Sequence, residues 1–316
     1  MPKKREYQQV RLEDLEVIPE LPLAQSALYA EACTPQTDAG AAAHCRKNGI
    51  LFRQDGAAWL ASLRSGTADL IFARPPAAPD GDAGYDAQEA FAAAALPWIE
   101  QAARVLRPTG SLLLCGPTEA LADLKHPSMR YFAGCRWLIW YYRNKAAGGR
   151  DWGRAHASIL QLRKSDVWVM HADAVRVPYN GHTLKYPAHA EAAAAAGAAG
   201  TVWRPSPQGA HPRDVLEAPA AAEPGAAKKT PQPPEELLRR LILAASDPGA
   251  LVVDPFCGTG TALVAAQQLG RRWLGCDADA AAVEAAIRRI DRVEPSSVED
   301  WIRFDRKNAA RRASMR

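Results

Sequence analysis

No CxxC pair and no Cys/His grouping at zinc spacing occurs among the six cysteines (Cys33, Cys45, Cys115, Cys135, Cys257, Cys276) of this 316-residue chain. That removes the usual structural-zinc frameworks and leaves small buried thiols in a reducing compartment. A staple is not needed in any case, because a chain this long buries a full core as one α/β domain with an insertion or as two modest domains. Apolar runs of membrane-spanning length are missing, and the opening MPKKREYQQV lacks the apolar centre of a secretory signal, so the expectation is a soluble, cytoplasmic protein with no metal and no membrane. Net charge is a mild +4. Its excess gathers in RWLIWYYRNKAAGGRDWGR and in the tail RFDRKNAARRASMR, two segments that either meet a polyanion or form a solvated basic face.

What the chain does have is alternation of short apolar strands with amphipathic helices, the pattern of an α/β sheet covered on both faces. After an irregular or partly helical arm, ILFRQDG, AAWLASL and TADLIFA read as strand, helix and strand. The third run ends at Arg74-Pro75-Pro76, where the prolines stop any further ladder. A long helix, DAQEAFAAAALPWIEQAARVL, closes in a turn, RPTG. SLLLCG and CRWLIWYYR then read as strands with a helix between them, and HASILQLRK and DVWVM as two more strands, antiparallel. From about 171 to 230 the composition shifts to Ala, Pro and Gly with little periodicity, as in an insertion that is part ordered and part linker. Regularity returns with PPEELLRRLILAAS, a helix with proline at its start and acids in its first turn. The four resulting segments are an arm (1–48), a first regular half (49–165), an insertion (166–228) and a second regular half (229–316).

LVVDPFCGTGTALVAA carries the strongest signal. Four apolar residues end at Asp254, Gly258 and Gly260 let the backbone turn tightly, and a helix begins at about Thr261 with its N–H groups facing a ligand. The next strand, RRWLGC, ends at Asp277, an acid placed to take both ribose hydroxyls of a nucleoside. A lone GxG is an ordinary structural turn. The intact order of strand, turn, helix, strand and acid raises the nucleoside reading above it, and the lack of a full GxGxxG favours an adenosyl group carrying an amino acid over a pyrophosphate.

DPFCGTGT resembles the DPFxGSGT motif of amino-directed DNA methyltransferases, and the order of parts is similar to that of the β class, which methylates N6 of adenine or N4 of cytosine. The resemblance spans roughly residues 49–180 and 229–310. It implies a circularly permuted, Rossmann-like, doubly wound S-adenosylmethionine-dependent methyltransferase fold with an inserted target-recognition region, and double-stranded DNA as partner. S-adenosyl-L-methionine would meet Asp254, Phe256, Gly258 and Gly260 at its methionine end, with Thr259 and Thr261 supplying hydroxyls or N–H groups. Asp277 would hold the ribose and Asp55 the adenine. TPQPPEELLRRL stands where the family has HPTQKP; Gln232 and Pro234 match, whereas Lys229 and Pro233 do not.

IFARPPAA aligns with the family's LIFADPPFN. Pro75 and Pro76 are kept, but the acceptor is replaced by Arg74 and the stacking aromatic by Ala77. Holding an exocyclic amino group needs hydrogen-bond acceptors, and a flipped base needs an aromatic face. Arginine only donates and stays charged. Asp80, Asp82 and Tyr85 lie just downstream, as replacements or as solvated loop residues. Two catalytic outcomes therefore stand open: a site-specific DNA methyltransferase, with adenine N6 ahead of cytosine N4, or a catalytically impaired relative that binds cofactor and DNA. An RNA or small-molecule methyltransferase fits the permuted order less well. The resemblance places Arg154 and His156 near the target base, with His156 also readable as a satisfied structural histidine. Arg143, Lys145, Arg150, Arg154 and Arg204 are the candidate phosphate contacts. Trp203 beside Arg204 matches a family WR segment and also reads as core. A homodimer is one assembly open to such a chain.

Overall fold

Short apolar runs bounded by turn residues become strands buried on both faces. The computed structural model describes residues 27–32, 42–46, 48–76, 84–143, 152–179, 206–221 and 232–293. Its strands are β1 (Ala42–Arg46), β2 (Gly49–Phe52), β3 (Ala68–Ala73), β4 (Leu106–Gly116), β5 (Gly134–Tyr141), β6 (His156–Arg163), β7 (Val215–Glu217), β8 (Leu251–Asp254) and β9 (Arg272–Cys276). They form one sheet in the order β1-β2-β9-β8-β3-β4-β6-β5-β7. The central five, from β2 to β4, run parallel. On one side β6 lies antiparallel between β4 and β5, and β7 adds to β5 in parallel.

Side chains alternate across this sheet, as extended backbone requires. Leu51, Leu70, Phe72 and Val252 belong to one apolar layer, whereas Ile50, Phe52, Ile71, Ala73, Leu251 and Val253 belong to the other. Helices α5 (Glu235–Ala245), α6 (Thr261–Gln268) and α7 (Ala280–Ile290) cover the first layer. Helices α1 (Ala27–Ala32), α2 (Gly56–Ser62), α3 (Tyr85–Val105) and α4 (Thr118–Ser128) cover the second. This is the doubly wound α/β arrangement expected from the alternating pattern. α3 leads from β3 to β4 and α6 leads from β8 to β9, in opposite directions along the sheet, so the switch point lies between β8 and β3.

Three local expectations are corrected. DVWVM is not a strand: β6, which precedes it, is already flanked by β4 and β5, so no partner is open beside it. The Ser165 hydroxyl bonds the Val167 N–H and carbonyl in a tight local turn instead, and Arg163 stacks 4.1 Å from the Trp168 ring centroid. RPTG is not a turn that closes the long helix; it lies inside β4 as a bulge, where Ala68 opposes Leu106 but Leu70 already opposes Ser111. Part of the N-terminal arm is sheet: β1 pairs antiparallel with β2, and His44 and Arg46 both bond Asp291 just past α7. The helical part of the arm is α1, whose Glu31 bonds Arg107 and Arg272. The run AEAAAAAGAAG lies outside the described residues. Among the described residues no helix is long and apolar enough to cross a membrane.

Candidate active site

Five strand ends meet at the carboxyl edge of the sheet. β2 runs out into Asp55, β3 into Arg74-Pro75-Pro76, β4 into Gly116, β8 into Asp254 and β9 into Asp277. Together they line a cavity of about 450 Å³, inside the range of roughly 300–1,000 Å³ usual for small-molecule sites. The register explains the opening. β3 and β8 pair only at Leu70↔Val252 and Ile71↔Val253, and beyond that point Phe72, Arg74 and Asp254 face the space between the strands.

The turn after β8 is fixed from several sides. Gly260 has a left-handed φ of 77° and would carry a Cβ 2.9 Å from the Cβ of Ala286, so only glycine allows α7 to approach this closely. Gly258, with φ 52°, would project a Cβ into open space, and that space is the cavity it lines. Its N–H donates to Asp277 Oδ2 at 2.7 Å, while the Asp279 N–H donates to Oδ1 at 3.0 Å. The Asp277 carboxylate is thus oriented before any ligand arrives, with lone pairs remaining for hydroxyl donors. Asp55 caps α2 by accepting from the Ala58 N–H at 2.9 Å. Gly56 comes so near the turn after β8 that a Cβ would sit 1.9 Å from the Pro255 carbonyl oxygen.

Asp254 is 2% exposed. Burial pushes its carboxyl up to about 8, and the Asp277 charge adds to this, against the opposing effects of the Phe256 N–H (3.1 Å) and the Arg74 charge. Phe256 packs edge-on against Trp98, with centroids 5.2 Å apart. Arg74 donates from Nη1 to Gln232 Oε1, so the end of β3 and the segment leading into α5 meet on the cavity wall. Burial also pushes the Cys115 thiol up to about 11, opposed by the Arg74 charge.

Arg289 carries no local sequence signal, yet it holds the turn. Its Nη1 donates to the Thr259 carbonyl, the Thr259 hydroxyl and the Thr261 hydroxyl, each at 2.9 Å, and its Nη2 donates to Glu235 at 2.8 Å. The Thr259 and Thr261 hydroxyls, both on residues that line the cavity, thus accept from Arg289 and keep their own O–H to donate.

The candidate DNA contacts are less concentrated. Arg154 makes a two-point ion pair with Glu119 at 2.9 and 3.0 Å, which lowers the Glu119 carboxyl from its ordinary range. Arg143 bonds Glu217 at 3.2 Å. His156 Nε2 lies 3.1 Å from Thr118 Oγ1, which continues to Ser158 at 2.9 Å. Neither Arg143, Arg154 nor His156 lines the cavity. Tyr85 is 75% exposed at the start of α3. Ala77, Asp80, Asp82, Lys145, Arg150, Trp203, Arg204 and Lys229 lie outside the described residues. Among the described residues no group of three or more His, Cys, Asp or Glu is placed to hold a metal ion.

Strand order and the cavity at the β8/β3 switch point define a Rossmann-like, doubly wound fold. The solved structure of TTHA0409 from Thermus thermophilus, complexed with S-adenosyl-L-methionine, shares this fold with a TM-score of 0.54. At 22% identity the likeness covers 78% of this chain and 95% of that one. The profile of the DNA methylase family matches residues 68–288, and the chain belongs to that family of N6- and N4-directed, S-adenosylmethionine-dependent DNA methyltransferases. It is 25% identical over 278 residues to the DNA adenine methyltransferase YhdJ of Escherichia coli K12, covering 80% of this chain and 86% of that protein. It is 27% identical over 246 residues to the type II methyltransferase M.HpaI of Haemophilus parainfluenzae, covering 73% and 71%.

Proposed function

We propose that this DNA methyltransferase takes S-adenosyl-L-methionine in the cavity between β3 and β8 and modifies the N6 amino group of adenine in double-stranded DNA, with residues 166–228 as the target-recognition region. The observation that carries this reading is one continuous cavity joining Asp254, Gly258 and Asp277 to Arg74-Pro75-Pro76. The residues present fit the nucleoside. Asp277 is held by two backbone N–H groups with acceptor capacity left for ribose hydroxyls, Asp55 stands beside it on the cavity wall, and Gly258 leaves room where any side chain would intrude. The choice of adenine draws support from the likeness to YhdJ, and the cytoplasm from the free thiols of Cys45, Cys115, Cys135, Cys257 and Cys276.

When bound, the cofactor supplies an electrophilic methyl on sulfur. The chain's part is to hold the acceptor amine in line and to remove positive charge from it. Pro75 precedes the loop that would meet the base, and its carbonyl is one acceptor on offer. Arg143, Lys145, Arg150, Arg154 and Arg204 would contact phosphates, with His156 near the base.

The contact between Arg74 and Gln232 favours a second reading, in which cofactor and DNA bind but transfer is impaired. A guanidinium at the strand end opposes a nascent ammonium, and at an effective dielectric near ~20 that repulsion is on the order of a few kcal/mol. The test is methyl transfer from labelled cofactor to mixed-sequence duplex DNA, and separately to RNA, by the unaltered chain and by an Arg74→Asp, Ala77→Phe variant, with products digested to nucleosides. Label in N6-methyladenine from the unaltered chain establishes the first reading, and label in N4-methylcytosine corrects the base. Label from the variant alone establishes the second. Label only in RNA would overturn both.

A further inference from the structure

The carboxyl edge of the sheet continues past the cavity. β4 ends at Gly116 opposite Ser158 of β6, and β6 begins at His156 opposite Tyr141 at the end of β5. The connection from β5 to β6 therefore leaves and returns on the edge that carries the cavity. Its return is moored to the exit of β4. The Tyr142 N–H donates to the Ala155 carbonyl at 2.9 Å and its hydroxyl to the His156 carbonyl at 3.0 Å. His156 Nε2 meets Thr118 Oγ1 at 3.1 Å, and Arg154 grips Glu119 at two points. Thr118 and Glu119 directly follow Gly116 and Pro117, which line the cavity. Two residues before Arg154, Trp152 is 95% exposed.

That exposure is out of line with the chain's other indoles. Trp59, Trp98, Trp140 and Trp273 are buried. Trp168, at 40% the next most exposed tryptophan among the described residues, lies under the Arg163 guanidinium at the opposite edge of the sheet. An indole offers about 150–250 Å² of surface that gains from being covered, and here it stands on the edge that carries the site. The surrounding run RNKAAGGRDWGR has four cations against one acid, a sign that suits DNA better than a second basic copy of this chain. Two of those cations, Arg143 and Arg154, are already paired with Glu217 and Glu119, so the contact that Trp152 adds is one that needs no free charge. Stacking on a base is such a contact, and it requires a base that has left the duplex stack. Where the family's loop carries its stacking aromatic, this chain has Ala77. We propose that Trp152 is a base-stacking residue, packing its ring on an unpaired base of DNA bound along this edge. The proposal rests on the reading of DNA as the partner, and it assigns no role to Arg74.

Fluorescence anisotropy tests this with the full chain and two labelled duplexes of one sequence, one fully paired and one carrying a single unpaired adenine, over a range of salt. The unaltered chain is expected to prefer the duplex with the unpaired base. Trp152→Ala should lose about fivefold to about 100-fold in affinity for that duplex, lose much less on the paired one, and keep the salt slope, because no phosphate contact goes. Trp152→Phe should retain most of the affinity, and thermal melts establish that both variants are folded. Unchanged affinity in Trp152→Ala, an equal loss on both duplexes, or a slope shallower by about one phosphate would overturn the proposal. An unaltered chain that sediments as a dimer beside a Trp152→Ala variant that sediments as a monomer would overturn it as well, by assigning the ring to a second copy. Binding of neither duplex by the unaltered chain would overturn the reading of DNA as the partner, and the proposal with it.

Discussion

Replacing Asp254 by asparagine should stabilise the ligand-free protein, and by an amount that depends on pH. In the unfolded chain this carboxyl titrates near its ordinary value of about 3.9, whereas in the folded protein burial raises it to about 8. Below about pH 4 both states hold the proton and the residue contributes no pH dependence. Between about 4 and 8 the folded state keeps a proton that the unfolded state has released, so stability falls by about 1.4 kcal/mol per pH unit. Above about 8 both states are ionised and the full penalty remains, on the order of 5 kcal/mol as an upper bound. An asparagine side chain at this position would retain the acceptor for the Phe256 N–H but carry no charge. The Asp254→Asn variant should therefore gain on the native chain as pH rises from about 5 to about 8, with the difference in melting temperature widening by a few degrees per pH unit. Circular-dichroism melts of both proteins across that range measure it. Parallel curves over the same interval would show that Asp254 is ionised in the folded state.

Two other changes probe how the cavity wall is built. Gly56→Ala would place a methyl 1.9 Å from the Pro255 carbonyl oxygen; the backbone shift it forces should cost about 1–3 kcal/mol in urea unfolding and weaken nucleoside binding, and an unchanged midpoint would refute the close approach. Arg289→Ala removes donors to Thr259, Thr261 and Glu235. A loss of about 2 kcal/mol in stability, with weaker nucleoside affinity partly restored in Arg289→Lys, is the expected result, and an unaltered melt and affinity would show that Arg289 does not hold the turn.

The parts of the site legible in the sequence are those written in consecutive residues. LVVD followed by two glycines and an alanine-rich run is strand, left-handed turn and helix in one string, and LIFA followed by two prolines is a strand that must end. Asp277 is legible because it closes the next strand. Arg289 is not, because its bonds to Thr259 and Thr261 span 30 and 28 residues and depend on how α7 lies against the turn. β1 escapes the sequence for a related reason: AAHCR has no alternation of its own and becomes a strand by pairing with β2 and through the bonds of His44 and Arg46 to Asp291. DVWVM has the composition of a strand, but composition does not reveal whether a neighbouring strand has a side to spare.

The gap that forms the site also has a cause in the sequence, away from the site itself. β3 and β8 come from distant halves of the chain, and their ladder contains only the two pairs Leu70↔Val252 and Ile71↔Val253. At the closed end Asp69 joins the halves: Oδ2 accepts the Leu251 N–H at 2.7 Å, and Oδ1 accepts Arg107 at 3.0 Å. At the open end the strands lead into the turn residues Pro75 and Pro255, each set on its own exit path along the cavity wall. Two strands pinned at one end and led apart by prolines at the other open a wedge between them. The wedge arises from backbone register and proline placement, neither of which involves the Arg74 side chain. The strand end can therefore carry an arginine at position 74 without closing the cavity.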